Sequence, residues 1–292
     1  LGSNNVLGVP PEELFSLLPN LESLSLNSNP LSGFNFYWLE RSLRLSELNL
    51  DATGLKAIDG IGKAPSLARL SLRNNRLASP FPHELFDIKT LKSLIISYNQ
   101  LDGPIPNFFS TRLPYLETLI INNNRLEGNL DDLLFPPTLR ILDLSHNLLS
   151  GSVPSSFLDQ LPTFSQIDVD LSANQITSID PAICSKSNNW NYGDVERYGC
   201  DGLLCPTGFY SELGRRSSDS ECTRCSDASY FGTTECGSSG GSGAALAVSL
   251  SIVFLLLIGS VTVYIRLKQT TQALRTDEAV SLQSRYEDAC IT

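Results

Sequence analysis

The stretch LRILDLSHNLLSGSVP, Leu139 to Pro154, spaces its leucines in a way that fits neither a helix period of 3.6 nor a plain strand period of two. The same frame, LxxLxLxxNxLxGxxP, returns at Leu21, Leu45, Leu67, Leu91 and Leu116, and a last copy starts at Val169. Its anchors are Asn29, Asn75, Asn99, Asn124, Asn147 and Asn174, with Thr53 in the Asn place of the second copy. Successive anchors lie 24, 22, 24, 25, 23 and 27 residues apart. A repeat of this length is one supersecondary unit that cannot bury its apolar face alone, so the copies must stack into a solenoid.

The odd spacing follows from that shape. Leu142 and Leu144 point the same way because strand side chains alternate faces. Leu149 and Val153 turn inward from the coil that returns to the next strand. Each anchor Asn stands where the chain leaves its strand, and its amide can bond backbone groups that the bend leaves unpaired. Thr53 offers only a short hydroxyl there, which predicts a local weakness.

This frame resembles the leucine-rich repeat. The endings LDGPIP, LSGSVP and LASPFP, the last without its Gly, resemble the plant-type subclass. The resemblance covers roughly residues 5–183 and implies an α/β solenoid with a parallel sheet on its concave face. It does not imply one function, since binders of many ligand classes share the fold. The chain has no Met, and Asn5 lies 24 residues before Asn29 with Leu7 following it. The expectation is a fragment that begins inside an earlier repeat.

The segment AALAVSLSIVFLLLIGSVTVYI, Ala244 to Ile265, carries no charge. At ~1.5 Å per residue it reaches about 33 Å, enough to cross a hydrocarbon core of ~30 Å. A buried core helix is the alternative, but cores rarely need such a length without polar interruption. Arg266 and Lys268 follow at once, which places the C-terminus in the cytosol and the repeats outside. The tail balances four basic against four acidic residues, so the net charge of −10 falls on the outer part. That charge argues against nucleic acid and favours basic partners. The expected order is repeats over 1–183, a Cys-rich cap or stalk over 184–236, a Gly/Ser linker over 237–243, a membrane helix over 244–265 and a cytoplasmic tail over 266–292.

The membrane also divides the cysteines. Cys184, Cys200, Cys205, Cys222, Cys225 and Cys236 fall outside, where they would oxidise, and Cys290 falls inside as a free thiol. Zinc competes for Cys222–Cys225, a CxxC, but the two histidines, His83 and His146, lie back in the repeats. Six cysteines allow 15 pairings, and the sequence does not choose among them. The run from Cys205 to Cys236 is similar to the small Cys-rich modules of ephrin-receptor and tumour-necrosis-receptor ectodomains. Pairing of neighbours, 184–200, 205–222 and 225–236, is the working expectation.

Parallel strands place equivalent positions about 4.8 Å apart, so the wet residues of each strand align in columns. The first runs Ser23, Glu47, Arg69, Ser93, Thr118, Ile141, Asp168, and the middle runs Ser25, Asn49, Ser71, Ile95, Ile120, Asp143, Asp170. A third, Asn27, Asp51, Arg73, Ser97, Asn122, Ser145, Ser172, is expected to be exposed as well. Glu47 with Arg69 and Asp51 with Arg73 read as self-satisfied surface pairs. Ile95 and Ile120 form an apolar pair on a face that should be wet, with Tyr98 and His146 one position beyond the third column. Asp143 and Asp170 oppose one another beside Asp168, and like charges opposite each other destabilise a sheet unless something neutralises them. Alternatively, Asp143 caps a turn, or the 27-residue spacing breaks the register. The candidate ligand-binding set is Ile95, Tyr98, Ile120, Asp143, His146, Asp168 and Asp170, with a peptide or glycan across the isoleucines and a basic group toward the acidic end.

The sequence carries no GxSxG, HExxH, GxGxxG or P-loop motif, which argues against an enzyme, and no cofactor or metal is implied. Plant-type repeats, a stapled module, one span and a short tail resemble a receptor-like protein without a kinase. That resemblance implies an extracellular peptide, protein or glycan ligand at the plasma membrane and signalling through a membrane co-receptor or kinase. A surface adhesion or structural protein that passes no signal is the alternative.

Overall fold

The computed structural model describes residues 15, 17–31, 34–131, 133–157, 159, 166–186 and 190–237. Most of the expected N-terminal repeat, the linker beyond Gly237, the membrane helix, the tail and Cys290 lie outside the described residues. Among the described residues no helix is long and apolar enough to cross a membrane. Repeats and Cys-rich module fall within one unit that ends at Gly237.

In chain order the strands of the repeats are β1 (Ser23–Ser25), β2 (Glu47–Asn49), β3 (Arg69–Ser71), β4 (Ala78–Pro80), β5 (Ser93–Ile95) and β6 (Gln100–Pro104). They continue as β7 (Thr118–Ile120), β8 (Arg125–Gly128), β9 (Ile141–Asp143), β10 (Leu148–Val153), β11 (Asp168–Asp170) and β12 (Gln175–Ile179). One parallel sheet has the order β1-β2-β3-β5-β7-β9-β11, one strand per copy. A second, β12-β10-β8-β6-β4, comes from the LxGxxP endings. Their glycines Gly103, Gly128 and Gly151 adopt φ of +72°, +100° and +84°, a region that residues with a Cβ enter at a cost.

Between the sheets the repeat leucines form one continuous buried core, with Leu142, Leu144, Leu149 and Val153 all inside. A phenylalanine spine runs through the coils. Phe86 to Phe109, Phe109 to Phe135 and Phe135 to Phe157 have ring centroids 5.1, 5.7 and 6.4 Å apart.

The anchor asparagines join each coil to the one before it. Asn124 Nδ2 donates to Ile121 O at 3.0 Å within its own coil and to Ile96 O at 3.0 Å in the preceding one. Its Oδ1 accepts from Leu101 N–H at 3.0 Å, again across the coil boundary. Asn75, Asn99, Asn147 and Asn174 repeat the carbonyl reach to Leu50, Leu72, Ile121 and Leu144. Thr53 cannot. Its hydroxyl bonds Leu50 O at 2.7 Å and Asn75 Oδ1 at 2.9 Å, and the Leu31 N–H of the coil before turns to the Thr53 carbonyl.

The module closes the last coil. Helix α2 (Pro181–Lys186; α1 is Phe109–Arg112) leads to a left-handed turn at Asn191, Tyr192 and Gly193 and then to α3 (Asp194–Tyr198). Buried Asn191 occupies the place of a further strand: its N–H donates to Ile167 O at 2.9 Å and its Oδ1 accepts from Val169 N–H at 2.7 Å. Farther along, Ala173 N–H donates to Gly232 O at 2.8 Å and Phe231 N–H to Ile176 O at 2.9 Å. Disulfides pair Cys184 with Cys200, Cys205 with Cys222 and Cys225 with Cys236. The last two hold a small hairpin, β13 (Phe209–Tyr210) and β14 (Thr223–Arg224).

Candidate ligand-binding face

Strand pairing sets the columns residue by residue. The first column pairs Ser23 with Glu47, then Arg69, Ser93, Thr118, Ile141 and Asp168. In the middle column Ile95 pairs with Ile120, Ile120 with Asp143, and Asp143 with Asp170. The 27-residue spacing leaves this register intact, because the extra residues lie in the return path rather than in the strand.

Ile95 and Ile120 are half-buried, and Tyr98, in the bend after the Ile95 strand, is 46% exposed. Tyr98 and His146 occupy the left-handed position that precedes every anchor, with φ of +55° and +52°. Ser28, Ala52, Asn74, Asn123 and Ala173 fill it in the other coils. A bulky residue is disfavoured there, so the tyrosine is kept against its own backbone preference.

Two column assignments need correction. Ser97, Ser145 and Ser172 of the third column are buried, because the chain is already bending inward when it reaches them. Arg73 does not pair with Asp51 through its side chain. Asp51 Oδ1 accepts from Ser71 Oγ at 2.6 Å and from Arg73 N–H at 2.8 Å, while the Arg73 guanidinium lies 5.0 Å from the Tyr98 ring centre. Glu47 and Arg69 do form their surface ion pair.

The acidic end is more structured than the columns suggest. Asp143 Oδ1 accepts from Ser145 N–H at 3.0 Å and Ser145 Oγ at 2.7 Å, so it does cap its turn. Asp170 Oδ1 accepts from Ser172 N–H at 2.9 Å in the same way. Burial pushes the Asp143 carboxyl above its ordinary value, Ser145 opposes this, and the Asp170 charge adds to it. Asp168 is held from outside the repeats: Arg215 of the module, only 15% exposed, reaches it at 3.5 Å. The chain thus neutralises one of the three carboxylates itself and leaves Asp143 and Asp170 facing each other.

The face therefore has three zones. Coils one to three are polar, with Ser23, Ser25, Glu47, Asn49, Arg69 and Ser71 lining a shallow concavity of about 320 Å³ that reaches Ile95. The middle is apolar, and Ile141, 39% exposed beside Thr118, extends it toward the acidic end. Ile141 was legible as the one hydrophobe of its column. Arg215 was not, since 47 residues separate it from Asp168. Among the described residues no cluster of His, Cys, Asp or Glu could hold a metal ion.

A stack of coils with one parallel strand each, bonded by an asparagine ladder and closed by disulfides, defines a leucine-rich-repeat solenoid. The leucine-rich-repeat family matches residues 20–42, 90–111 and 138–159. The chain is similar to receptor like protein 21 of Arabidopsis thaliana, 32% identical over 112 residues, which is 38% of this chain and 11% of that protein. It is also similar in structure to the plant peptide hormone receptor RGFR1 solved in complex with RGF2, with 29% identity and a TM-score of 0.52 over 63% of this chain and 29% of that one. A leucine-rich-repeat protein of Leptospira interrogans gives 28% identity and a TM-score of 0.51, covering 64% of this chain and 51% of that one. The chain thus spans a small part of its plant relatives' length, and its architecture is shared with a bacterial protein.

Proposed function

We propose that this chain is part of a single-pass membrane receptor-like protein whose concave face binds an extended extracellular peptide and which signals through a membrane co-receptor or kinase. The observation that carries the binding reading is the adjacent pair Ile95 and Ile120 on an open sheet face, passing directly into the facing positions of Asp143 and Asp170, with exposed Tyr98 at the bend that follows the Ile95 strand. His146 and Asp168 border its acidic end. Such a face suits a peptide with apolar side chains followed by a Lys or Arg, because the cation would relieve the repulsion that the sheet sustains. The similarity to a peptide hormone receptor supports a peptide over a glycan.

The membrane part of the proposal rests on the uncharged run from Ala244 to Ile265 and the cations that follow it. With that anchor, residues 1–183 and 184–236 face outward, 237–243 link them to the span, and 266–292 lie inside. Protease applied to intact cells should then remove the repeats and spare the tail; survival of the repeats would contradict this polarity.

Binding is tested with the full 292-residue chain and a pool of random octapeptides. Retained peptides should be enriched in apolar residues and Lys or Arg. Ile120→Asp should weaken retention by ~10-fold or more, about 1.4 kcal/mol. Asp143→Asn keeps the turn cap and should weaken only the basic peptides. Unchanged retention in both variants would place binding elsewhere.

A further inference from the structure

The module that closes the solenoid does more than cover its end. Asn191 and Tyr192 are consecutive non-glycine residues in the left-handed region, with φ of +51° and +60°, and Gly193 follows at +88°. The strain at Asn191 has a structural return, since its side chain and backbone terminate the sheet at Val169 and Ile167. Tyr192 has none of these bonds, and its side chain is 77% exposed. Glycine would satisfy the turn at that position with less strain. A strained residue held in place without a structural task points toward function.

Tyr192 lines a concavity of about 360 Å³ together with Arg140, Ile141, Gln166, Ile167 and Asp168. Ile141 is the exposed end of the apolar zone. Asp168 carries the Arg215 contact, which joins the module to the repeats at this place. Arg140, which also lines the concavity, donates to the carbonyls of Pro137 and Leu139, at 3.2 and 2.8 Å. Ile141 and Tyr192 thus share one concavity with Asp168, which pairs with Ile141 in the sheet, and the facing pair Asp143 and Asp170 lies in the next column.

We propose that Tyr192 and Ile141 form a subsite for an apolar side chain of the bound peptide, so that the cap contributes directly to ligand recognition. This rests on the reading that the concave face binds a peptide. Occupant and charge agree: a peptide with its cation on Asp143 and Asp170 lies beside the opening, and its neighbouring side chain meets the Tyr192 ring.

Tyr192→Gly separates this role from a structural one, because the two roles move stability and binding in different directions. With the full chain and the same octapeptide pool, Tyr192→Gly should lower retention ~10-fold while leaving the melting temperature equal or higher. Ile141→Ser should lower retention of the same peptides. A fall in melting temperature with Tyr192→Gly would make the ring a packing element and overturn the inference. Retention within twofold of the parent would overturn it too, and if Ile120→Asp still abolished retention, peptide binding on the concave face would stand without the cap. Absence of any retained peptide on the parent chain would overturn both.

Discussion

Thr53 and Asp143 show how single side chains weaken the same repeat frame by different means. At Thr53 the hydroxyl satisfies its own coil but cannot span to the coil before, as the Asn side chains do. Thr53→Asn should therefore restore a carbonyl contact and stabilise the chain by ~1 kcal/mol, read as a higher melting temperature. Conversely, Asn124→Ala removes a side chain that bonds two coils and should cost about 3 kcal/mol. Asp143 is penalised chiefly by burial, with the Asp170 charge adding to it. The folded chain holds its carboxyl above the ordinary 3.8, chiefly through burial, so between 3.8 and that raised value the folded state binds more protons than the unfolded one. Stability then falls as pH rises through this window, and the penalty persists at neutral pH. Asp143→Asn should melt higher than the parent at pH 7, and the two curves should converge below the ordinary value. A difference that is constant with pH would assign the effect to packing instead.

Among the elements, strands and cap differ in how far the sequence disclosed them. The pairs Leu24 with Leu48 and Ile95 with Ile120 follow from a fixed frame, because parallel pairing in register is the one arrangement that buries every LxL at once. The left-handed turns before each anchor, which put Tyr98 and His146 where they are, have no such signature, since Ser, Ala, Asn, Tyr and His all occupy them. The way the cap docks was hidden for a further reason. It depends on Asn191, Arg215 and Gly232, residues remote from the coil they touch and without periodicity. Gly214 and Gly232 leave no room for a Cβ: one at 214 would stand 2.4 Å from Ser172 Cβ, and one at 232 would stand 2.5 Å from Leu204 Cδ2. Cys184–Cys200 closes a loop with a sequence separation of 16 around the Asn191 turn. Replacing both cysteines by Ser should cost roughly 3 kcal/mol. It should also raise amide exchange at Val169 first, because that N–H loses its Asn191 partner when the turn loosens. Uniform exchange across all the coils would show that the cap does not act locally.

At the scale of the whole molecule, polar, apolar and acidic zones follow one another along the solenoid axis, while the formal charge of −10 biases the chain toward basic partners. Retention of Lys- or Arg-bearing peptides should fall steeply as salt rises, and retention of purely apolar ones should not. The central claim is that ligand lies on the concave sheet, across Ile95, Tyr98 and Ile120, rather than on the second sheet behind it. Photocrosslinking decides this most directly, using a retained octapeptide that carries a diazirine side chain and the full chain. The account predicts adducts on β5, β7 and β9 and on Tyr98; adducts confined to β6, β8 and β10 would contradict it.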